Sequence, residues 1–226
     1  MARRGPGAVK KLTGIPSLDY LVGPVKPGWI VEFYGWMQGV RLVLHHTIAE
    51  ASKRGPVTVV HVQEFGGLDP YLLRRLVKFR RGYENNILVA RAFRLQDVPG
   101  LIREAVSTGS HTIIVSNPYL YAPRSWTSYD KLTHITAALR EASLHERYVL
   151  VFNQSTKMGK GKSPEGGQFH HHTVHIIIRL VPGTRGLYAT LLKHVARPVP
   201  RTITVPASEL EVGFRWGGQR HLLEYL

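Results

Sequence analysis

The sequence predicts an α/β fold: a mostly parallel, twisted sheet flanked by helices, with an antiparallel edge towards the C-terminus. Two observations carry this. Short apolar runs bounded by turn residues alternate with segments of helical periodicity up to about residue 152, as crossover-connected parallel strands require. From about residue 173 onward the runs follow one another with only turns between them, which is the pattern of adjacent antiparallel strands.

The elements follow in order. Residues 1–11 hold Arg3, Arg4, Lys10 and Lys11 among Gly5, Pro6 and Gly7 and read as a flexible basic arm, leaving 12–226 as one core domain. Ser17 is placed to cap a short helix carrying Leu18 and Leu21. Pro24, Pro27 and Gly28 mark a turn before a strand at Trp29–Tyr34, and Leu42–Ser52 has the spacing of a helix that stops at Gly55-Pro56. Val57–Val62 reads as a buried strand. Asp69-Pro70 opens a helix with Leu72, Leu73, Leu76 and Val77 on one face and Arg74, Arg75, Lys78, Arg80 and Arg81 on the other. Ile87–Ala90 and Thr112–Val115 are strands around a helix at Val98–Ser107, and a helix at Tyr129–His145 precedes a strand at Val149–Phe152. Three further strands are expected at Thr173–Val181, Gly186–His194 and Arg201–Val205, with turns at Pro182-Gly183 and Pro198–Pro200.

Charge narrows the function classes. Thirty Lys+Arg against fifteen Asp+Glu give a formal +15 over 226 residues, which favours a polyanionic partner such as nucleic acid. Twenty of the thirty cations are arginine, a bias seen in some heat-adapted families. No cysteine is present, so disulfides and thiolate metal sites are excluded. No apolar run is long enough to span a bilayer and no secretory h-region follows the basic start. The expectation is a cytoplasmic, DNA-associated protein with no membrane partner.

The segment Val31–Leu42 stands where a phosphate-binding loop would stand, after a strand and before a helix. A working loop reads G-x-x-x-x-G-K-[ST]: backbone N–H groups cradle phosphates, Lys reaches the terminal ones, and the hydroxyl ligates Mg²⁺. Here Gly35 supplies the first glycine, but Val40, Arg41 and Leu42 occupy the glycine, lysine and hydroxyl places. Leucine cannot ligate Mg²⁺, and valine does not take the backbone geometry that glycine allows. Gly35, Gly39 and Arg41, with Glu64 after the next strand, form a vestigial nucleotide-binding set.

Several segments together resemble the RecA/RadA recombinase core, nearest to archaeal RadA and its paralogs. Thr13-Gly14-Ile15-Pro16-Ser17-Leu18-Asp19 is similar to the family's "TGI-x-x-LD" opening. Glu32–Gly35 is similar to "EFYG", Val89–Phe93 to "ARA-[YF]", and Val151–Gln154 to the "TNQ" strand end. Gly166-Gly167 matches the region after the second DNA loop. The resemblance spans roughly residues 12–205 and implies a RecA-like P-loop ATPase core. It also implies a Walker B aspartate where Ser116 stands and a catalytic glutamate where Phe65 stands, with Glu64 one residue early. No catalytic residue, metal or resident cofactor is therefore expected, and ATP binding without hydrolysis stays open.

The resemblance further implies that the loops after the Walker B strand, Thr112–Val115, and after the "TNQ"-like strand end face single-stranded DNA. The first holds Tyr119, Tyr121, Arg124, Trp126 and Tyr129, the mixture of rings and Arg that stacks on unpaired bases. The second holds Lys157, Lys160 and Lys162 among glycines. His170, His171, His172 and His175 are read as a polar strand patch that gains charge as pH falls, not as a zinc site. The leading expectation is a RadA-like pseudo-ATPase that binds single-stranded DNA and assists recombination or repair, with the RadA recombinase or another repair protein as a second partner. The alternatives are a slow ATPase built on Arg41 and Glu64, and a docking protein without a DNA role whose Phe214, Trp216 and Tyr225 make the contact.

Overall fold

The computed structural model describes residues 8–62, 67–122, 129–156 and 163–211. Its elements are α1 (Pro16–Val22), β1 (Ile30–Gly35), α2 (Met37–Ala51), β2 (Val57–His61), α3 (Pro70–Arg80), β3 (Ile87–Arg91), α4 (Asp97–Ser107), β4 (Thr112–Ser116), α5 (Tyr129–Leu144), β5 (Tyr148–Gln154), α6 (Gly167–Thr173), β6 (Ile176–Gly183), β7 (Gly186–Lys193), β8 (Arg201–Pro206) and α7 (Ala207–Leu210). The eight strands form one sheet in the order β3-β2-β4-β5-β1-β6-β7-β8. The first six are parallel, and β7 and β8 close the edge antiparallel. The sequence pattern anticipated this architecture.

Strand alternation sends Val31 and Phe33 to one face of β1 and Ile30, Glu32 and Tyr34 to the other. The first face packs under α1 and α2, where Phe33 stacks on Phe152 with ring centroids 5.3 Å apart. The second packs under α4 and α5. β1 lies between β5 and β6, with Phe33 in register with Phe152 and Ile178. It is buried from Ile30 to Tyr34.

The ends of the elements have local causes. Asp69 Oδ1 accepts the N–H groups of Tyr71 and Leu72 at 2.9 and 3.1 Å, a cap that stabilises a helix by about 1 kcal/mol. Ser17 does not cap α1, whose N-cap is Ile15. Instead Asp19 reaches back to the N–H groups of Thr13 and Gly14 at 2.7 and 3.0 Å, which accounts for the Thr-Gly…Asp spacing. The last residues of the expected arm are tied down, since Val9 and Val25 exchange two backbone hydrogen bonds. Two further readings are corrected. The chain from Gly167 to Thr173 is helical, so Thr173–Val181 is not one strand. Arg80 leaves the basic face of α3 because its guanidinium donates to the Gly14 carbonyl at 2.6 Å and to His46 Nδ1 at 2.5 Å. Among the described residues no helix is long and apolar enough to cross a membrane.

His46 is buried on α2, with Nε2 3.1 Å from the Leu210 carbonyl and Nδ1 receiving Arg80. That arrangement needs a neutral ring. Burial, then the Arg80 charge, push its pKa from 6.5 to about 4. The sign follows: between these values the unfolded chain binds the proton more readily, so stability falls as pH drops from about 6.5 towards 4, by at most roughly 3 kcal/mol for this group. Urea unfolding at pH 7.5 and 4.5 should show a smaller loss in His46→Gln than in the parent. Equal losses would show that His46 does not carry this pH dependence.

Candidate functional site

The site region is set by how the chain leaves β1. Gly35 has φ +125°, and a Cβ there would lie 2.2 Å from the Leu180 carbonyl oxygen of β6. The next N–H, of Trp36, donates to that same carbonyl at 2.9 Å. Helix α2 then begins at Met37, so a single residue separates strand from helix. An arch of backbone N–H groups around a phosphate needs several non-helical residues there. The expected helix start at Leu42 is thereby moved forward by five positions.

The individual residues follow from this. Gly39 is buried in the first turns of α2, where a Cβ would meet Leu187 at 2.9 Å and the Trp36 ring at 3.0 Å. It is a close-packing glycine. Leu42 points into the hydrophobic core beneath the helix. Arg41 is exposed, and its carbonyl lies 2.6 Å from Nδ1 of His45. His45 Nε2 accepts the Asp69 N–H at 2.8 Å, which fixes the proton on Nδ1 and ties α2 to the cap of α3. Ser116 is buried at the end of β4, in register with His61 and Phe152. Asn117 follows with φ 53° and donates its N–H to the Phe152 carbonyl at 2.7 Å. Arg41, Leu42 and Ser116 thus stand where a magnesium–nucleotide would need an ammonium, an Mg²⁺-ligating hydroxyl and a carboxylate respectively, and these three residues do not fit that group. Glu64 lies outside the described residues, as does Phe65.

On the other face of the sheet a buried polar set joins the bases of the loops that follow β4 and β5. Glu32 is fully buried, and its Oε1 accepts from Asn153 Nδ2 at 2.8 Å and from His170 Nε2 at 3.0 Å. His170 Nδ1 lies 2.9 Å from the Tyr119 hydroxyl, which lies 2.9 Å from Thr136 Oγ1. Thr136 Oγ1 also donates to the Leu132 carbonyl at 3.4 Å, so the set runs from α5 through Tyr119 and His170 to Glu32, whose Oε2 has no hydrogen-bond partner among the described residues. Asn153 also donates to the Glu165 carbonyl at 2.8 Å. The second loop therefore returns onto β5, where Thr156 N–H meets the Ser163 carbonyl at 2.8 Å and Ser155 bridges Pro164. Lys157, Lys160 and Lys162, between those two ends, lie outside the described residues.

Two readings change here. Tyr119 is 1% exposed and its ring lies against Gly166, where a Cβ would come within 2.6 Å. It packs the loop base and does not offer a face to a base, and burial holds its phenol above the usual range. Tyr121 is 37% exposed, whereas Arg124 and Trp126 lie outside the described residues. His170 belongs to a helix and is buried, so it leaves the expected surface patch. His171 and His172 remain near the surface, and Lys193 Nζ donates to both their carbonyls at 2.8 and 3.0 Å, closing the end of α6. His175 Nδ1 accepts the Ile30 N–H at 3.0 Å, and its ring stacks on Trp29. Among the described residues no group of three or more His, Cys, Asp or Glu could hold a metal ion. The signal for the buried set was present in the sequence: a lone carboxylate inside the apolar run Trp29–Tyr34 has to find a hydrogen-bonding partner.

No family model and no curated protein matches the chain. Among solved structures, the crystal structure of the RadB recombinase is similar, with a TM-score of 0.65 and 22% sequence identity over 86% of this chain and 94% of that one. The chain therefore has the fold of a RecA-like recombinase core.

Proposed function

We propose that this chain is a recombinase-fold protein that does not perform phosphoryl transfer and that binds single-stranded DNA as an accessory in recombination or repair. The observation that carries the reading is the direct passage from β1 into α2, with Gly39 packed against Leu187 and Leu42 in the core. Phosphoryl transfer rests on positioning and on charge neutralisation by Mg²⁺ and a cation. Leu42 and Ser116 supply neither, and Arg41 offers a planar fork on the surface where a compact ammonium is needed. The +15 charge, the exposed Tyr121 and the lysine-bearing loop anchored by Asn153 support a nucleic-acid partner. An association with a recombinase or another repair protein belongs to the same proposal and is supported by the fold.

Three outcomes are expected. Mg²⁺-dependent ATP turnover stays at background in a phosphate-release assay; turnover that disappears in Arg41→Ala would instead support the slow-ATPase reading. Affinity for a fluorescent single-stranded oligonucleotide does not change when ATP is added, because a ligand shifts a protein only through differential contacts. In the same titrations, replacing Lys157, Lys160 and Lys162 by Ala should flatten the log–log salt slope by about 2, at roughly 0.7 per phosphate contact. An unchanged slope would remove the second loop from the interface.

A further inference from the structure

The structure assigns a second single-strand-binding surface to the outward face of α3, separate from the two loops. The loop bases lie on the α5 side of the sheet, whereas α3 packs against α2 and the opposite core through Leu72, Leu73, Leu76 and Val77. Its other face carries Tyr71, Arg74, Arg75, Lys78 and Phe79, all exposed. Their spacing of zero, three, four, seven and eight places all five on one stripe of a helix. The stripe is therefore three cations between two aromatic rings, the rings about 12 Å apart along the axis at 1.5 Å per residue. Tyr71 is 81% and Phe79 is 59% exposed. Large rings so open are not needed for packing, since Leu76 and Val77 already seat the helix.

The stripe borders an open groove of about 570 Å³ lined by Tyr71, Arg74, Arg75, Lys78 and Glu84. The single carboxylate there, Glu84, faces Arg74, with Nε and Oε1 3.3 Å apart and both side chains exposed. An exposed pair of this kind contributes little to stability, so a phosphate can take Glu84's place on Arg74. Cations that follow a strand's phosphates, flanked by rings that accept unpaired bases, are what a single strand needs. A duplex hides its base faces and would leave Tyr71 and Phe79 without a role. Charge complementarity and the ring placement together select a single-stranded nucleic acid as the occupant.

The test uses the full chain with fluorescein-labelled oligo-dT, the RNA equivalent and a duplex, titrated by anisotropy over a salt series. Arg74→Ala/Arg75→Ala/Lys78→Ala should weaken single-strand binding and flatten the salt slope by about 2. Tyr71→Ala/Phe79→Ala should weaken it about fivefold or more with little change in slope, since stacking releases few counterions. Glu84→Gln should tighten binding, an effect that a purely structural role for these residues would not produce. All six sites are exposed, and unchanged thermal unfolding of each variant checks that the fold is intact. Unchanged affinity and slope in the cation variant would overturn the inference, as would a loss seen with duplex and not with single strands. The loop variant of Lys157, Lys160 and Lys162 separates the two surfaces. If it alone loses binding, the α3 site fails and the loop reading stands; if the α3 variants alone lose binding, the reverse holds.

Discussion

The geometry of the site follows from the close approach of β1 to β6 at Gly35. The Leu180 carbonyl occupies the space of a side chain there and accepts the Trp36 N–H. That contact fixes the direction in which the chain leaves the sheet, so α2 starts at Met37. Once the helix starts there, its 3.6-residue period determines the rest. Gly39 and Val40 turn inward, Arg41 turns to solvent, and Leu42 joins the core. Val40, Arg41 and Leu42 are thus placed by the helix and not by a loop.

The same strand sets the other face. Glu32, one pleat away from Phe33, would be a costly lone charge among Ile30, Tyr34 and Val151 without partners. Asn153 and His170 provide them, and through Tyr119 and Glu165 the set reaches the bases of both loops. The passage from β1 into α2 and the loop bases are thus two consequences of one strand, read on its two faces.

Much of the fold was legible because it depends on periodicity. The alternation up to Phe152 gave the parallel sheet, Asp69-Pro70 gave the cap of α3, and the consecutive late runs gave the antiparallel edge. The errors have a common cause. Gly167–Thr173 carries three histidines in a row, which no apolar period can place, and its helix is set by packing of His170 on Tyr119 and Glu32. Tyr119 looked like a base-stacking ring because its neighbours in sequence are polar and aromatic, yet its partners lie up to 51 residues away. Arg80 fell on the basic side of a helical wheel, while the Gly14 carbonyl and His46 draw it inward. Local pattern identified the elements; contacts between distant segments decided which side chains face solvent.

The proposed absence of phosphoryl transfer is tested most directly at the end of β1, by asking whether Mg²⁺–ATP binds the folded chain there. A ligand that binds the folded state at about 100 times its Kd adds roughly 2.7 kcal/mol of stability, enough to move the melting temperature by several degrees. Thermal unfolding should therefore be followed with increasing Mg²⁺–ATP, with Mg²⁺ and matched salt alone as the control. The account predicts coincident melting curves across the whole ATP range. A dose-dependent rise in Tm that is lost in Arg41→Ala would contradict it and place a nucleotide at the end of β1.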